Sequence, residues 1–540
     1  MTAQQTEKPN HLTPWYPLMG IMALSLVLKL WVFGSDHFVN PDGVRYIAAA
    51  QQIASGNIGE ALKLYPMIAF TALLAAVHYF IPNWISAAQA INIIALVGAS
   101  IPLYGISRIL FGRQAAVWAT LCFALTPQAN EQVQKVLRDP AFLLTTMTYV
   151  LCMLKGLRHN SIKQILWALL WAGGSFLFRI EGIVFLLVPL PFLIVKRFMA
   201  GNRAEKQFFQ RALLIWIGIP FAILVVVSVI LGSKLMTLSR LWQFRDELFK
   251  IVTFSAFDNY QKIYHFFGTL DKHPPFSPYA KSLPTLVRHW MPLIYLIGLM
   301  EYFIKQLFVI YLLPLLVAVQ HYFSNRDHKV TTEKKFLLLV CLAYILLVYY
   351  AYLVRDFIQG RFLLTPAVLL YPWVGHGIAL LINKLQGVRF ARVMRFALII
   401  LMIAPAFGQS AGALMANDNA ELEVVRFLCH DQKLKHAKIM FSDQRLWVYC
   451  PGKTEYNEMD RAAHLVSKDL AKGQMTAIEK QAEEYQAEAI ILTVKDKNPD
   501  RVPELKGYRI YRKFPVPKGI NVIYMLQTDG ITKSRDQNQG

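Results

Sequence analysis

The sequence predicts a polytopic α-helical membrane protein with a small α/β domain at its C-terminal end. Three observations predict it. Apolar runs near the ~20 residues needed to cross a bilayer recur from residue 14 to residue 415. Basic residues gather in the short loops between those runs. After residue 416 both patterns stop, and short β-branched runs alternate with polar helical stretches. At 55% hydrophobic with a mean hydropathy of +0.37, the chain exceeds the roughly 45–50% apolar content of a soluble domain. Its net charge of +22 raises nucleic acid as a partner. The charge is spread over the loops as the positive-inside rule requires and forms no basic stripe, so nucleic acid is not expected.

Taken in order, residues 1–13 are polar and read as a cytoplasmic tail. The run 14–33 is too long for a signal-peptide core and reads as an uncleaved anchor; Lys29 near its end is expected to snorkel to the interface. A polar loop, 34–64, follows. Within it Tyr46, Ile47, Ala50 and Ile53 share one helical side, which predicts a short interfacial helix over 46–54. The apolar stretch 65–82 is short and bracketed by prolines, so it either crosses or lies in the interface. Five basic clusters decide between these: Arg108 and Arg113; Lys155, Arg158 and Lys163; Lys196 to Arg211; Arg326 to Lys335; and Lys384 to Arg395. Placing all five inside makes 85–106 the second crossing and leaves 65–82 on the outer face. Further crossings are predicted at 115–126, 141–155, 165–178, 182–195, 212–231, 307–322, 336–354, 362–382 and 396–415, about eleven helices in all.

The outer face then carries residues 34–84, 127–140, 179–181, 232–305, 355–361 and everything after 416. The long segment 232–305 contains the breaker His273-Pro274-Pro275, and Glu301 and Lys305 stand i,i+4 on what reads as an interfacial helix. Residues 417–530 read as a small periplasmic α/β domain. Its strands are predicted at 437–442, 487–494, 508–514 and 521–526, and its helices at 421–429 and 461–482. Residues 531–540 read as a disordered tail. Cys122, Cys152 and Cys341 lie in apolar runs as packing residues. Cys429 and Cys450 are either a disulfide or two thiols.

Charged groups at helix ends are costly to place beside a bilayer and invite a functional reading. Asp42 and Arg45 lie in the first outer loop; Glu131, Lys135, Arg138 and Asp139 in the second; Arg179 and Glu181 in the third; Arg355, Asp356 and Arg361 in a later one. Together they supply acids for proton abstraction and guanidiniums for a phosphate. No metal-ligand cluster has good spacing; His265 and His273 read as surface residues. That favours metal-independent chemistry and leaves a divalent metal open. Walker, dinucleotide and nucleophile-elbow motifs are missing from the sequence, which disfavours a soluble nucleotide-dependent enzyme.

The order of these features resembles a known family. It runs Asp42-x-x-Arg45-Tyr46, a Tyr65-Pro66 segment, and a helix ending Arg108-Ile-Leu-Phe-Gly-Arg113. Then come Thr126-Pro127, Arg138-Asp139-Pro140, Arg179-Ile180-Glu181-Gly182 and Gly360-Arg361-Phe362-Leu363-Leu364-Thr365-Pro366. This is similar to the GT-C superfamily of membrane glycosyltransferases, in the branch of protein O-mannosyltransferases and lipid A aminoarabinose transferases (glycosyltransferase family 39). The resemblance covers residues 14–415. It implies a GT-C fold, a polyprenyl-phosphate sugar donor presented from the outer leaflet, and inverting transfer to a lipid, glycan or protein acceptor. No further cofactor is implied. It assigns Asp42 as the essential first-loop acid and Asp139 as a second functional acid. Arg45, Tyr46, Lys63, Tyr65, Glu131, Arg138, Arg179, Glu181 and Arg361 become candidate substrate-binding residues. Two positions depart from the pattern: Gly43 stands where members often carry a second acid, and Tyr65 where one branch carries a lysine before the proline. Two other classes compete. A transporter or flippase of an anionic or lipid-linked substrate would place charges near the midplane, often in two related halves, and no repeat is visible. A scaffold with an inert membrane part would not need acids and arginines concentrated on one face.

Overall fold

The computed structural model describes residues 15–31, 33, 39–237, 257–272, 282–324, 331–387, 390–415, 419–431, 434, 437–441, 444–449, 472–494, 504–516 and 519–526. The two tails, the His273-Pro274-Pro275 breaker and Cys450 lie outside the described residues. So does the side chain of Cys429. The chain divides into two compact units. One is drawn from Met1–Val32, Ala90–Val133 and Arg138–Leu414, the other from Phe33–Gln89, Gln134–Leu137 and Met415–Gly540.

The first unit is helical. Among the described residues seven helices are long and apolar enough to cross a membrane. The pair Arg361–Leu369 and Tyr371–Lys384, bent by 51°, makes an eighth. The bend falls at Leu370, two residues before Pro372, which has no N–H to donate to the preceding turn. Several predicted crossings correspond to helices too short to cross as one straight span. The helix at 115–126 is Arg113–Ala124, 12 residues or about 18 Å, against a hydrocarbon thickness of about 30 Å. Tyr16–Leu30 and Ile162–Phe178 are also short apolar helices. Conversely, Ser282–Leu307 is a 26-residue helix, and its stretch Leu283–Leu307 is long and apolar enough to cross. The Glu301–Lys305 pair lies exposed near the end of that helix.

Lys29 does not snorkel. Its side chain is 2% exposed, and its Nζ donates to Ser25 Oγ at 2.8 Å, one turn earlier on the same helix. Packing on that side of the helix, invisible to a hydropathy reading, encloses it. The core of this unit is built from aromatic rings on several helices: Phe142 and Tyr149 meet Phe185, Tyr344 and Phe336 at centroid distances of 5.2–6.4 Å. Cys122 and Cys341 are buried free thiols and Cys152 is half-buried.

The second unit joins the first-loop helices to the C-terminal domain. Its helices Pro41–Ala54 and Ile58–Leu64 precede Ile68–His78, whose 11 residues span only about 16 Å. That length fits a helix lying in the interface. The α/β part contains the helix Asn419–His430, the helix Lys472–Tyr485 and four strands. The strands are β1 (Ile439–Phe441), β2 (Ala489–Val494), β3 (Tyr508–Val516) and β4 (Gly519–Leu526). They form one sheet in the order β1-β2-β4-β3. β1 and β2 are parallel, β2 and β4 antiparallel, and β3–β4 is a hairpin with an irregularity between Ile510 and Arg512. β2 is interior and apolar on both faces, with Ile490, Ile491 and Leu492 at most 1% exposed. β3 is an edge strand, and its exposed Arg509, Arg512 and Lys513 discourage edge-to-edge pairing. Ile478 and Ala482 of the second helix seal the core against Ile490, Leu492, Val522 and Tyr524.

Candidate active site

Two clusters hold the predicted site residues, one in each unit. The first is built on the Pro41–Ala54 helix. It starts five residues before the predicted interfacial helix because Pro41 at its first position has the helical φ built in. Asp42 therefore falls in the first helical turn, where a carboxylate suits the positive end of the helix dipole. Asp42 is half-buried and Arg45 exposed.

The helix start is fixed by its neighbours. Asn40, although a residue type favoured as an N-cap, caps nothing with its side chain. Its Oδ1 instead accepts the backbone N–H of Val136 at 2.8 Å. A Cβ at position 43 would lie 2.8 Å from both Val136 Cβ and Val39 Cγ2 and 3.0 Å from Asn40 Oδ1. Gly43 is thus required by close approach, which explains why no second acid stands beside Asp42. Val39, 2% exposed, donates its N–H to Tyr449 Oη at 2.9 Å. Tyr46 is buried, and its ring packs edge-on against Tyr65 at 4.8 Å and Phe70 at 5.3 Å. Lys63 pairs with Glu60 at 2.6 Å, both exposed.

The second cluster centres on Arg179, whose side chain is 3% exposed. Its backbone is extended between the Ile162–Phe178 helix and the turn Ile180–Gly182. The Gly182 N–H closes that turn on the Arg179 carbonyl at 2.9 Å. A Cβ on Gly182 would lie 2.5 Å from Phe176 N and 2.6 Å from Ser175 C, so the Arg-x-Glu-Gly motif admits only glycine there. Two carboxylates hold the guanidinium. Nη1 donates to Asp139 Oδ1, while Nη2 and Nε donate to the two oxygens of Glu181 at 2.8 and 3.2 Å. The Asp139 and Glu181 side chains are 7% and 18% exposed. Burial opposes the Arg179 charge, but Asp139 and Glu181 more than offset it and keep the group protonated beyond the usual arginine range.

Asp139 reaches this cluster because it opens the Asp139–His159 helix with Pro140 after it, whereas at the first helix the proline precedes the acid. Arg138, just before it, donates to the Phe178 carbonyl at 3.1 Å. The Arg179 guanidinium lies over the Phe362 ring at 4.7 Å and near the Phe142 ring at 5.6 Å. Arg361 also lies against Phe362, at 5.6 Å. The structure thereby joins Asp139 and Glu181 to Arg179, which shares the Phe362 ring with Arg361. Glu131 is exposed in the turn Glu131–Gln134. Asp356 is not in this set; it accepts the Tyr295 hydroxyl. Sequence reading missed Phe142 and Val136, and gave Phe362 and Asn40 no role of their own. Phe142, three residues after Asp139, and Phe362, next to Arg361, carried a signal in their spacing. The Asn40–Val136 bond, 96 residues apart, carried none. Among the described residues no three His, Cys, Asp or Glu side chains gather as a metal site.

The helical architecture with its small sheet is a GT-C fold. More particularly, residues 65–231 match the family model described as dolichyl-phosphate-mannose-protein mannosyltransferase. No curated sequence matches the chain. Among solved structures it is similar to the oligosaccharyltransferase of Archaeoglobus fulgidus in the apo form, at 11% identity and a TM-score of 0.55, over 90% of this chain and 70% of that one. It is similar at 12% and 0.54 to AglB of the same organism in complex with an inhibitory peptide and a dolichol-phosphate, over 88% and 69%. It is similar at 11% and 0.50 to ArnT from Cupriavidus metallidurans bound to undecaprenyl phosphate, over 95% of this chain and 98% of that one.

Proposed function

We propose that the protein is an inverting glycosyltransferase. It moves a sugar from a polyprenyl-phosphate donor to a lipid, glycan or protein acceptor at the outer face of the inner membrane, with its C-terminal domain periplasmic. The observation that carries this reading is the end-to-end likeness to ArnT, whose structure holds undecaprenyl phosphate. The mannosyltransferase-family match over residues 65–231 agrees with it.

The chemistry asks little of a cofactor. The acceptor oxygen attacks the anomeric carbon from the side opposite the phosphate, a new C–O bond forms, and the bond to the phosphate oxygen breaks. Polyprenyl phosphate leaves with the electron pair. As a good leaving group it needs positive charge more than a strong acid, and fixed cations in a partly dry site supply that efficiently. Asp42 is the base that takes the acceptor proton, a role worth about 10²–10⁴-fold. Its place in a helix held by Asn40 and Gly43 supports that assignment.

Arg45, Arg138 and Arg361 are the candidate phosphate cations. Arg179 is committed to Asp139 and Glu181, so its role is to build the site, with Asp139 as its anchor. Tyr46 and Tyr65 hold the Asp42 helix through ring packing; Lys63 and Glu131, both exposed, are candidate contacts for substrate polar groups. Mass spectrometry of envelope lipids and glycoproteins from cells with and without the active protein tests the reading. An acceptor that gains one pentose- or hexose-sized unit supports it. Unchanged acceptors, with directional uptake of a substrate into proteoliposomes, would replace it with transport.

A further inference from the structure

The 21-residue helix that opens with Asp139 ends, about 30 Å away, in a second polar site. A pocket of about 460 Å³ there is lined by Ile109, Lys155, Arg158, His159, Ser161 and Gln164. Three of the six are Lys, Arg or His, and none is acidic. Lys155, Arg158 and His159 stand at i, i+3 and i+4, on one side of the last helical turn.

The pocket is built on a fixed frame. Asn160 reverses the chain in the left-handed conformation, φ 49°. The Ser161 N–H bonds the Gly156 carbonyl at 3.0 Å, and the Ile165 N–H bonds the Ser161 carbonyl at 3.2 Å. Arg158 is held in place by one Nη1 bond to the Ile109 carbonyl at 3.1 Å, which leaves its other N–H groups for a ligand. Ser161 stands at the N-terminus of the 17-residue Ile162–Phe178 helix without capping it through its side chain. Ser161 also lines the pocket, so the positive end of that helix adds to the cations there.

A bilayer's hydrocarbon is about 30 Å thick. A pocket one such length from the Asp139–Arg179 cluster lies at the headgroup level of the opposite leaflet. We propose that it binds the phosphodiester headgroup of an anionic phospholipid. Lys155 and Arg158 would take the phosphate oxygens, and Ser161 and Gln164 the neighbouring hydroxyl or ester groups. Ordinary positive-inside charge would attract anionic lipid too, but through every exposed cation of the loop alike. Lys155, Arg158 and Lys163 are all exposed on this hairpin, but Lys163 lies outside the pocket, so it separates the two.

The test is native mass spectrometry and thermal unfolding of the full-length protein with phosphatidylglycerol, phosphatidylcholine or inorganic phosphate. Wild type should bind phosphatidylglycerol in preference to phosphatidylcholine. Lys155→Gln/Arg158→Gln should weaken that binding roughly 30-fold, at about 1 kcal/mol per cation, while Lys163→Gln leaves it unchanged. Lys155→Gln alone, which disturbs no bond to Ile109, should show part of the loss, and Arg158→Lys should retain most of the binding. The proposal fails if Lys163→Gln costs as much as the pocket variants, if phosphatidylcholine binds equally, or if inorganic phosphate reproduces the full stabilisation.

Discussion

Arg179 offers the sharpest test of how the helical unit holds its charges. Replacing it with methionine keeps most of the side-chain volume and removes the cation. Asp139 and Glu181, 7% and 18% exposed, then lose the three N–H donors that Arg179 provides. Removing one partner of a buried ion pair costs about 3–5 kcal/mol, because the remaining charge stays buried without compensation. The residual exposure of Glu181 places the loss near the lower end, ~3 kcal/mol. Thermal unfolding of the purified protein in detergent should show a clear drop in midpoint. The triple variant Arg179→Met/Asp139→Leu/Glu181→Leu removes all three charges together, and such replacements are neutral or stabilising by about 1–4 kcal/mol. It should therefore unfold near wild type while transferring no sugar. An Arg179→Met protein that melts with wild type, or a triple variant no more stable than the single, would refute the reasoning.

The remaining predictions concern the mounting of Asp42. Gly43→Ala forces a Cβ against Val136 Cβ and Val39 Cγ2; it should cost about 1–3 kcal/mol and slow transfer, read as a lower melting midpoint and a lower kcat. Asn40→Ala leaves the buried Val136 N–H without its acceptor and should cost about 1–3 kcal/mol by the same melt. Tyr449→Phe removes the acceptor of the Val39 N–H and should destabilise by about 1 kcal/mol, with a larger fractional effect on transfer than on expression.

Local pattern carried much of this far into the fold. The apolar runs, the four strands and the 419–430 helix are properties of short windows, and the structure places elements there. Apolar character alone did not decide which segments are long enough to cross. Residues 115–126 are apolar but make a short helix, while Leu283–Leu307 has the length to cross although its charged pair suggested an interfacial position. The Arg179–Glu181 pairing was within reach of the sequence, two residues apart; its bond to Asp139, 40 residues away, depends on where two helices end. Lys29 and Gly43 were opaque for the same reason. What decides each is a neighbour from another segment: packing around the Lys29 side chain, and Val136 beside Gly43.

Sugar transfer from a polyprenyl-phosphate donor with wild type and Asp42→Asn side by side tests the account most directly. The variant keeps the size of the side chain and removes its capacity to take a proton. Release of polyprenyl phosphate together with a glycosylated acceptor by wild type, and a loss of about 10²–10⁴-fold in a variant that melts with wild type, is the predicted result. Equal rates from the two proteins would contradict it.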